Sequence, residues 1–555
     1  MNNFFKKYNL ILLISILTLA FFLRIYKITE VPPSLNWDET SIGYNAYSIL
    51  KTGKDEWGEF LPLHFRSFGE YKLPLQIYAS IPAITVFGLN DFSVRITPVI
   101  YGTLTVLFLY LLVNELYKLR FKDEYNYISF ISSFFLAISP WHIQLTRGSF
   151  ESSFSLFWLL LGILLLVRGF LKNPKMIILS MIPFAISVYT YNSARVFTPL
   201  FLFTVFLLNI KYILKNFKVS VFATLFFIVM MLPLVSFVVS GEALARYKLV
   251  SITDDAGLVP RIEERRNLSK LPTIITRLIH NRYTYNSYYF VENYIAHFTP
   301  NYLFLKGAGH HQHHVQGVGQ LYWIQAPFLL YGLYILFKKK DFSLKILLPW
   351  LLISFIPVSM TNDSIPNALR TLIAVPVYQI LTAVGVVEAL KYRKYTKAII
   401  VSIVLILGIN FCIYLTNLYT LYPIRYSRDW QYGNKQVVEY IKENYDNYDL
   451  IVFSRTYGEP HIFTLFYLIY DPSKFQNINN LERFETHDWV RVLRFDKFYF
   501  PDLGDEGTKY EDILKENKDK RILFIGKQND FPDNVKRLKT IDFLNGERAF
   551  DIVED

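Results

Sequence analysis

Runs of roughly twenty apolar residues recur along this chain, each about the length a helix needs to cross the hydrocarbon core of a bilayer. They lie at 8–26, 93–117, 126–140, 152–171, 176–192, 196–212, 219–240, 320–337, 344–360, 368–389 and 398–420, about eleven in all. In hydrocarbon only helices and closed barrels satisfy every backbone polar group, so the runs predict a polytopic α-helical membrane body. Composition agrees: 52% of residues are hydrophobic, 17% aromatic and only 19% charged, against roughly 25% charged in soluble domains. The formal net charge of +12 does not point to nucleic acid, because the lysines and arginines cluster beside the apolar runs, as membrane orientation requires. The single cysteine, Cys412, lies inside an apolar run and supports neither a disulfide framework nor a thiolate metal site. The basic start is followed by an apolar run without a small-residue cleavage site, and is read as an uncleaved first span.

Basic residues test the order of the spans. Lys6 and Lys7 place the N-terminus in the cytoplasm. With strict alternation the even-numbered connections are then internal, and each is basic: Lys118, Arg120 and Lys122; Arg168, Lys172 and Lys175; Lys211, Lys215 and Lys218; Lys338, Lys339 and Lys340; Lys391, Arg393, Lys394 and Lys397. The external connections are 27–92, 141–151, 193–195, 241–319 and 361–367. The chain divides into a membrane domain, 1–420, and an external tail, 421–555. In the tail "QVVEYIKEN" and "YEDILKEN" carry helical spacing, while "YDLIVFS" and "RILFIGK" are short β runs, which predicts a small α/β domain.

The external face holds the unusual residues. "SLNWDET" places Asp38 and Glu39 just past the first span, at the expected start of a helix, "DETSIGYNAYSILKTG". Acidic residues at a helix start are favoured by its macrodipole, which by itself accounts for the pair. "KLPLQIYASIPAITVFG" is apolar but interrupted by Pro74 and Pro82. "SPWHIQLTRGSFE" carries His142, Arg147 and Glu151, "YTYNSARVFTP" carries Arg195, and "TNDSIPNALRT" carries Asp363 and Arg370. Each arginine alone reads as an interfacial anchor. Several such turns on one face, mixing carboxylates with arginines, point instead to a shared polar site at the membrane surface. A carboxylate can take the proton of an acceptor hydroxyl, and arginines can hold a phosphate and stabilise leaving-group charge. The fitting substrate keeps an apolar tail in lipid and presents a phosphate and a sugar at the surface.

At these residues the chain resembles the GT-C type glycosyltransferases that use polyprenyl- or dolichyl-phosphate sugars, the protein mannosyltransferase-like branch of families 39 and 83, to which a lipid A aminoarabinose transferase is related. The resemblance rests on "NWDETSIGYNAYSIL…GEYKLPLQIYASIPAITVFGLNDFSVRITPVIYG", "SPWHIQLTRGSFE" and "PNALRT", and with the span pattern covers roughly residues 1–420. It implies a GT-C fold of about eleven transmembrane helices with a small external α/β domain. It also implies an inverting enzyme of the cell membrane, moving a hexose or pentose from a polyprenyl-phosphate donor to a protein, lipid or glycan acceptor on the outer face. Asp38 is then the catalytic carboxylate, with Glu39 completing the acidic pair and orienting the sugar or binding a divalent cation. Lys72 matches the family lysine near the donor phosphate, although the family more often shows two prolines after it where this chain has Leu73-Pro74. Asp91 and Arg95 match "D/E-F-S-x-R", and Arg370 falls in the late loop that contributes to phosphate binding. His142, Arg147 and Arg195 complete the candidate substrate contacts.

Other signals have plainer readings. "GAGHHQHHVQGVG" concentrates His310, His311, His313 and His314, but no cysteine or spaced carboxylate completes a metal site, and its glycines suggest a flexible loop. "RIEERRNLS" reads as a solvated helix face, and Trp430 with Tyr422 and Tyr426 as an interfacial aromatic belt. Two other classes stay open. A transporter should show ionisable residues or helix breaks at mid-membrane in paired halves. An O-antigen ligase or polymerase, using diphosphate-linked glycans, should lean on arginine and histidine rather than an early acidic pair.

Overall fold

The structure, a computed structural model, describes residues 2–118, 121, 124–239, 241, 247, 250–255, 257–392, 395–486, 489–504 and 507–554. Of the basic residues expected on the inner side, Arg120, Lys122, Arg393 and Lys394 lie outside the described residues, as do the side chains of Lys6 and Lys7. The chain forms two compact units.

The first unit comprises residues 1–26, 98–146 and 150–417 and is helical. Every expected apolar run carries a helix. Among the described residues five helical stretches are long and apolar enough to cross a membrane: Tyr8–Ile25, Asp91–Tyr117, Glu151–Leu171, Leu372–Ala389 and Thr396–Arg425. Shorter apolar helices, Lys175–Val188, Asn192–Leu208, Phe217–Met231 and Leu344–Ser359, occupy further expected spans. This is a multi-pass membrane body.

Two expected loops are helical. The run at 126–140 was expected to end in an external turn at 141–151. Instead Tyr125–Ala137 is followed by a second helix, Pro140–Arg147, bent from it by 53°. Pro140 is the cause: proline disfavours helical backbone at the preceding Ser139, yet suits the first position of a new helix. Likewise 193–195 is not a turn, since the helix Asn192–Leu208 already contains it. The region 241–319 holds the helices Leu258–Leu268, Thr273–Ile279 and Arg282–Ala296.

The glycine-flanked histidine segment is pinned rather than flexible. The buried His314 ring places Nε2 3.2 Å from Lys306 O and 2.8 Å from Val318 O. Gln316 donates to Ala308 O at 2.8 Å, and Gln144 donates to Gln312 O at 2.9 Å. Gly307 adopts a left-handed backbone, with φ of 75°, and a Cβ there would collide with the His314 imidazole. Burial pushes His314 down to about 4, and burial likewise pushes His297 down to about 4. His297 accepts the Asn367 N–H at Nε2, 3.0 Å away. Both rings stay neutral in the folded chain while an unfolded histidine, with pKa about 6.5, takes up a proton. Stability is therefore fully present above about pH 6.5 and falls as pH drops toward 4, by on the order of 3 kcal/mol per ring. The protection factors of residues 293–320, exchange rates corrected for the intrinsic rate at each pH, are expected to fall as pH drops across that window and to be constant above pH 7.

The second unit comprises residues 27–97, 147–149 and 418–555. Residues 27–97, expected within the membrane domain, thus fold with the segment from 418 onward. Its strands are β1 (Phe65–Ser67), β2 (Glu70–Lys72), β3 (Leu450–Phe453), β4 (Glu482–Glu485), β5 (Val490–Phe495), β6 (Phe498–Tyr499), β7 (Ile522–Gly526), β8 (Arg537–Asp542) and β9 (Arg548–Glu554). β1 and β2 form an antiparallel hairpin. The others make one mixed sheet in the order β4-β5-β6-β3-β7-β9-β8, with β3 parallel to both its neighbours. Side chains alternate across a strand, so Ile451 and Phe453 enter one core while Leu450 and Val452 enter the other. The first core also takes in the helix Trp37–Thr52, where Gly43 lies against Phe466 and Val94 so closely that a Cβ would meet both. The apolar segment with two prolines is a regular helix, Pro74–Phe87: Pro74 opens it and Pro82 lies within it.

Candidate active site

Asn36-Trp37-Asp38-Glu39 starts the helix Trp37–Thr52 with a capping box. Asn36 Oδ1 accepts the Glu39 N–H at 2.9 Å, and Glu39 Oε2 accepts the Asn36 N–H at 3.3 Å. Such a cap contributes about 1 kcal/mol. Neighbouring residues on a helix point about 100° apart, so the two carboxylates part company.

Glu39 turns inward and is fully buried. Its Oε1 accepts Arg95 Nε at 3.0 Å and the Ser149 N–H at 2.9 Å, while Oε2 accepts Arg95 Nη2 at 2.9 Å. Arg95, equally buried, gives its remaining donors to backbone carbonyls: Ile28 O at 3.0 Å, Pro32 O at 2.8 Å and Ser34 O at 2.5 Å. The guanidinium thus laces the stretch that follows the first span onto the acidic helix start. Glu39 does not fit a cation ligand, because both of its oxygens are already occupied by strong donors. Among the described residues no three His, Cys, Asp or Glu side chains are grouped to hold a metal ion.

Asp38 turns the other way, its side chain 41% exposed. Its Oδ1 accepts the Lys72 ammonium at 2.6 Å, and Glu70 lies 3.5 Å from the same nitrogen. Lys72 ends β2, opposite Phe65 in the hairpin, and its side chain is only 2% exposed. A buried ammonium beside one reachable carboxylate is a charge pair that an incoming anion can compete for. The N–H of Trp37, just before Asp38, donates to Gln431 Oε1 at 2.8 Å, and Gln431 Nε2 donates to Tyr457 O at 2.7 Å. Gln431 adopts left-handed backbone to do so, with φ of 55°. Sequence reasoning missed this strut, since a single glutamine carries no spacing signal.

The other expected contacts divide between the units. In the second unit Asp91 accepts Lys435 Nζ at 2.5 Å and Tyr467 OH at 2.8 Å, which ties the first loop to the tail. Arg147 is buried, with Nε and Nη2 on Val31 O and its guanidinium over the Tyr419 ring. Asp91, Arg95 and Arg147, expected as substrate contacts, are thus each tied to other groups of the same unit. Trp430 is likewise no interfacial anchor: it is fully buried, with Nε1 donating to Tyr422 OH at 2.7 Å.

In the first unit His142 is buried, and its Nδ1 lies 2.6 Å from Arg24 Nη2. A guanidinium only donates, so Nδ1 accepts and the ring proton sits on Nε2. Arg24, which the apolar run concealed, also donates to Ala20 O at 2.7 Å and Ala137 O at 3.1 Å. Arg370 donates through Nη2 to Asp363 Oδ2 at 2.7 Å and through Nη1 to Thr361 Oγ1 at 2.8 Å, so the late loop closes on its own ion pair. Arg195 lies over the Phe237 ring at 5.0 Å, and its Nε and Nη2 have no hydrogen-bond partner among the described residues.

Helices of this order joined to a mixed-sheet unit have solved counterparts. ArnT from Cupriavidus metallidurans in the apo state superposes with a TM-score of 0.55 at 9% identity, over 99% of this chain and 98% of that one. The same protein bound to undecaprenyl phosphate gives 0.55 at 11% identity, over 98% and 97%. The chain therefore has the fold of the GT-C membrane glycosyltransferases. The oligosaccharyltransferase of Archaeoglobus fulgidus, solved with Zn and sulfate, gives 0.47 at 14% identity over 78% of this chain and 55% of that one. A curated sequence relative is the dolichyl-phosphooligosaccharide-protein glycotransferase 2 of Pyrococcus horikoshii, 31% identical over 187 residues, 29% of this chain and 23% of that protein. The chain thus matches about a quarter of that relative's length. No family model matches the sequence.

Proposed function

We propose that this chain is an inverting membrane glycosyltransferase of the cell membrane, working on its outer face. It moves a hexose or pentose from a polyprenyl-phosphate sugar to a hydroxyl of a protein, lipid or glycan acceptor. The observation that carries the proposal is the Asp38–Lys72 pair, a reachable carboxylate held 2.6 Å from a buried ammonium. In this reading the donor phosphate takes over Lys72, which frees Asp38 to accept the acceptor's proton. The acceptor oxygen then attacks the anomeric carbon from the face opposite the phosphate. The carbon–oxygen bond to phosphate breaks, and the lipid phosphate leaves with its charge stabilised by Lys72. A single displacement of this kind inverts the anomeric centre. Glu39 and Arg95 keep the helix start in place and touch neither substrate. Arg195, in the other unit, has guanidinium donors left over, and Arg370 there is engaged with Asp363 and Thr361. No step needs a divalent cation, because Lys72 supplies the positive charge.

The relatives described above are glycosyltransferases, which favours transfer over transport or O-antigen ligation. The test is a donor comparison. Purified protein is expected to transfer a radiolabelled sugar from a polyprenyl monophosphate and to leave the matching polyprenyl diphosphate glycan untouched. Turnover of the diphosphate donor alone would hand the chain to the ligase class.

A further inference from the structure

The second unit holds a cluster of polar groups that the transfer chemistry does not use. It lies where β3 and β6, which run parallel, deliver their carboxyl ends. In open α/β sheets that edge is where ligands bind. Arg455 follows β3 and Asp502 follows β6; the Arg455 N–H donates to Pro501 O at 3.0 Å, and its Nη2 donates to Asp502 Oδ2 at 2.6 Å. The same loop leads to Glu459 and His461 at the start of the helix Pro460–Tyr467.

The inner groups of this cluster, Arg455, Glu459 and His461, are incompletely satisfied, while Asp502 stands at the surface. Glu459 is 3% exposed and His461 4%. Glu459 Oε1 accepts the Trp489 indole N–H at 2.5 Å, while Oε2 makes no hydrogen bond and lies 3.5 Å from His461 Nδ1. His461 Nδ1, Arg455 Nε and Nη1, and Arg491 Nε also have none among the described residues. Native interiors leave few polar atoms in that state, because each has given up its water without a replacement partner. Arg491 closes the cluster only loosely, 3.9 Å from Glu459 and 3.8 Å from Asp502, with a third of its side chain exposed. Beside it stands an aromatic wall. Phe68 and Trp489 stack at 6.1 Å and 15°, and Trp37 meets Trp489 at 6.0 Å. Trp37 is the residue immediately before Asp38.

We propose that this cluster is a saccharide-binding subsite, entered when the Arg491 side chain swings aside. The unsatisfied set selects the ligand. A phosphate or carboxylate would satisfy the guanidiniums and face the free oxygen of Glu459. An ammonium would satisfy Glu459 and face two arginines. A ring bearing several hydroxyls donates to Glu459 and accepts from Arg455 and Arg491, while its C–H face lies on the indoles. Its role as the acceptor's sugar rests on the transfer reading, through Trp37 and Asp38; the binding itself does not.

The test is saturation-transfer NMR on the full-length protein in detergent, with methyl α-mannoside, methyl β-galactoside and methyl β-arabinoside, and with inorganic phosphate as competitor. Ring protons of at least one glycoside are expected to receive saturation. The affinity is expected to fall at least tenfold in Glu459→Gln and in the rim variant Arg491→Gln, and to persist in Asp38→Asn. No signal from any glycoside, a signal unchanged in both cluster variants, or displacement by millimolar phosphate would each overturn the proposal. If the wild-type chain bound glycoside yet transferred no sugar, the transfer reading would fail and this one would stand.

Discussion

Asp38→Asn is expected to lower the turnover of sugar transfer by about a hundredfold to ten-thousandfold, the range that a positioned general base contributes. The change is nearly isosteric. The Asp38 side chain is 41% exposed, and the cap made by Asn36 and Glu39 stays intact. Thermal stability should therefore move little. The loss should sit in kcat rather than in KM for the donor, since Lys72 remains to meet the phosphate and loses its competing anion. Turnover measured with a radiolabelled lipid-phosphate sugar, beside a melting curve of the same preparation, separates the two. A variant that folds and keeps full turnover would remove Asp38 from the chemistry.

Breaking the pair behind it has the opposite signature. Glu39→Gln and Arg95→Met are each expected to destabilise the protein by about 3–5 kcal/mol, because each strands a fully buried charged partner. Arg95→Met also orphans the carbonyls of Ile28, Pro32 and Ser34, so it should be the worse of the two. The double variant should cost less than the sum of the singles, as expected for residues in direct contact. Activity should fall in step with the folded fraction rather than per folded molecule. A Glu39→Gln protein with an unshifted melting temperature and lost turnover would make Glu39 a reacting group after all.

The contrast between these neighbours also marks what the sequence could reveal. Apolar runs locate the helices of the first unit because lipid imposes a length and a composition. A carboxylate pair past the first run stands out for the same reason. What parts Asp38 from Glu39 is the position of Arg95, 56 residues later in the chain, and no local pattern encodes that. Trp430 misled for a related cause: an interfacial belt and a buried core both consist of aromatic residues. The glycines around His314 suggested mobility, whereas one of them gives up its Cβ so that the imidazole can clip the loop shut. Glu459 and His461 were legible in principle, since "EPH" follows a strand of an α/β unit, at the edge where such folds bind ligands.

Residues 27–97 and 418–555 share one folded unit, and this sets an order on biogenesis. The ribosome releases the Asp38 helix about 320 residues, from 97 to 418, before the first residue of the segment that completes its core. Gln431, which holds the Trp37 backbone, and Phe466, which packs on Gly43, are made only after that intervening stretch. A nascent chain that has not yet reached them therefore carries the carboxylate without its mount. The mount of the Asp38 helix is complete only once the segment that begins at residue 418 has been made.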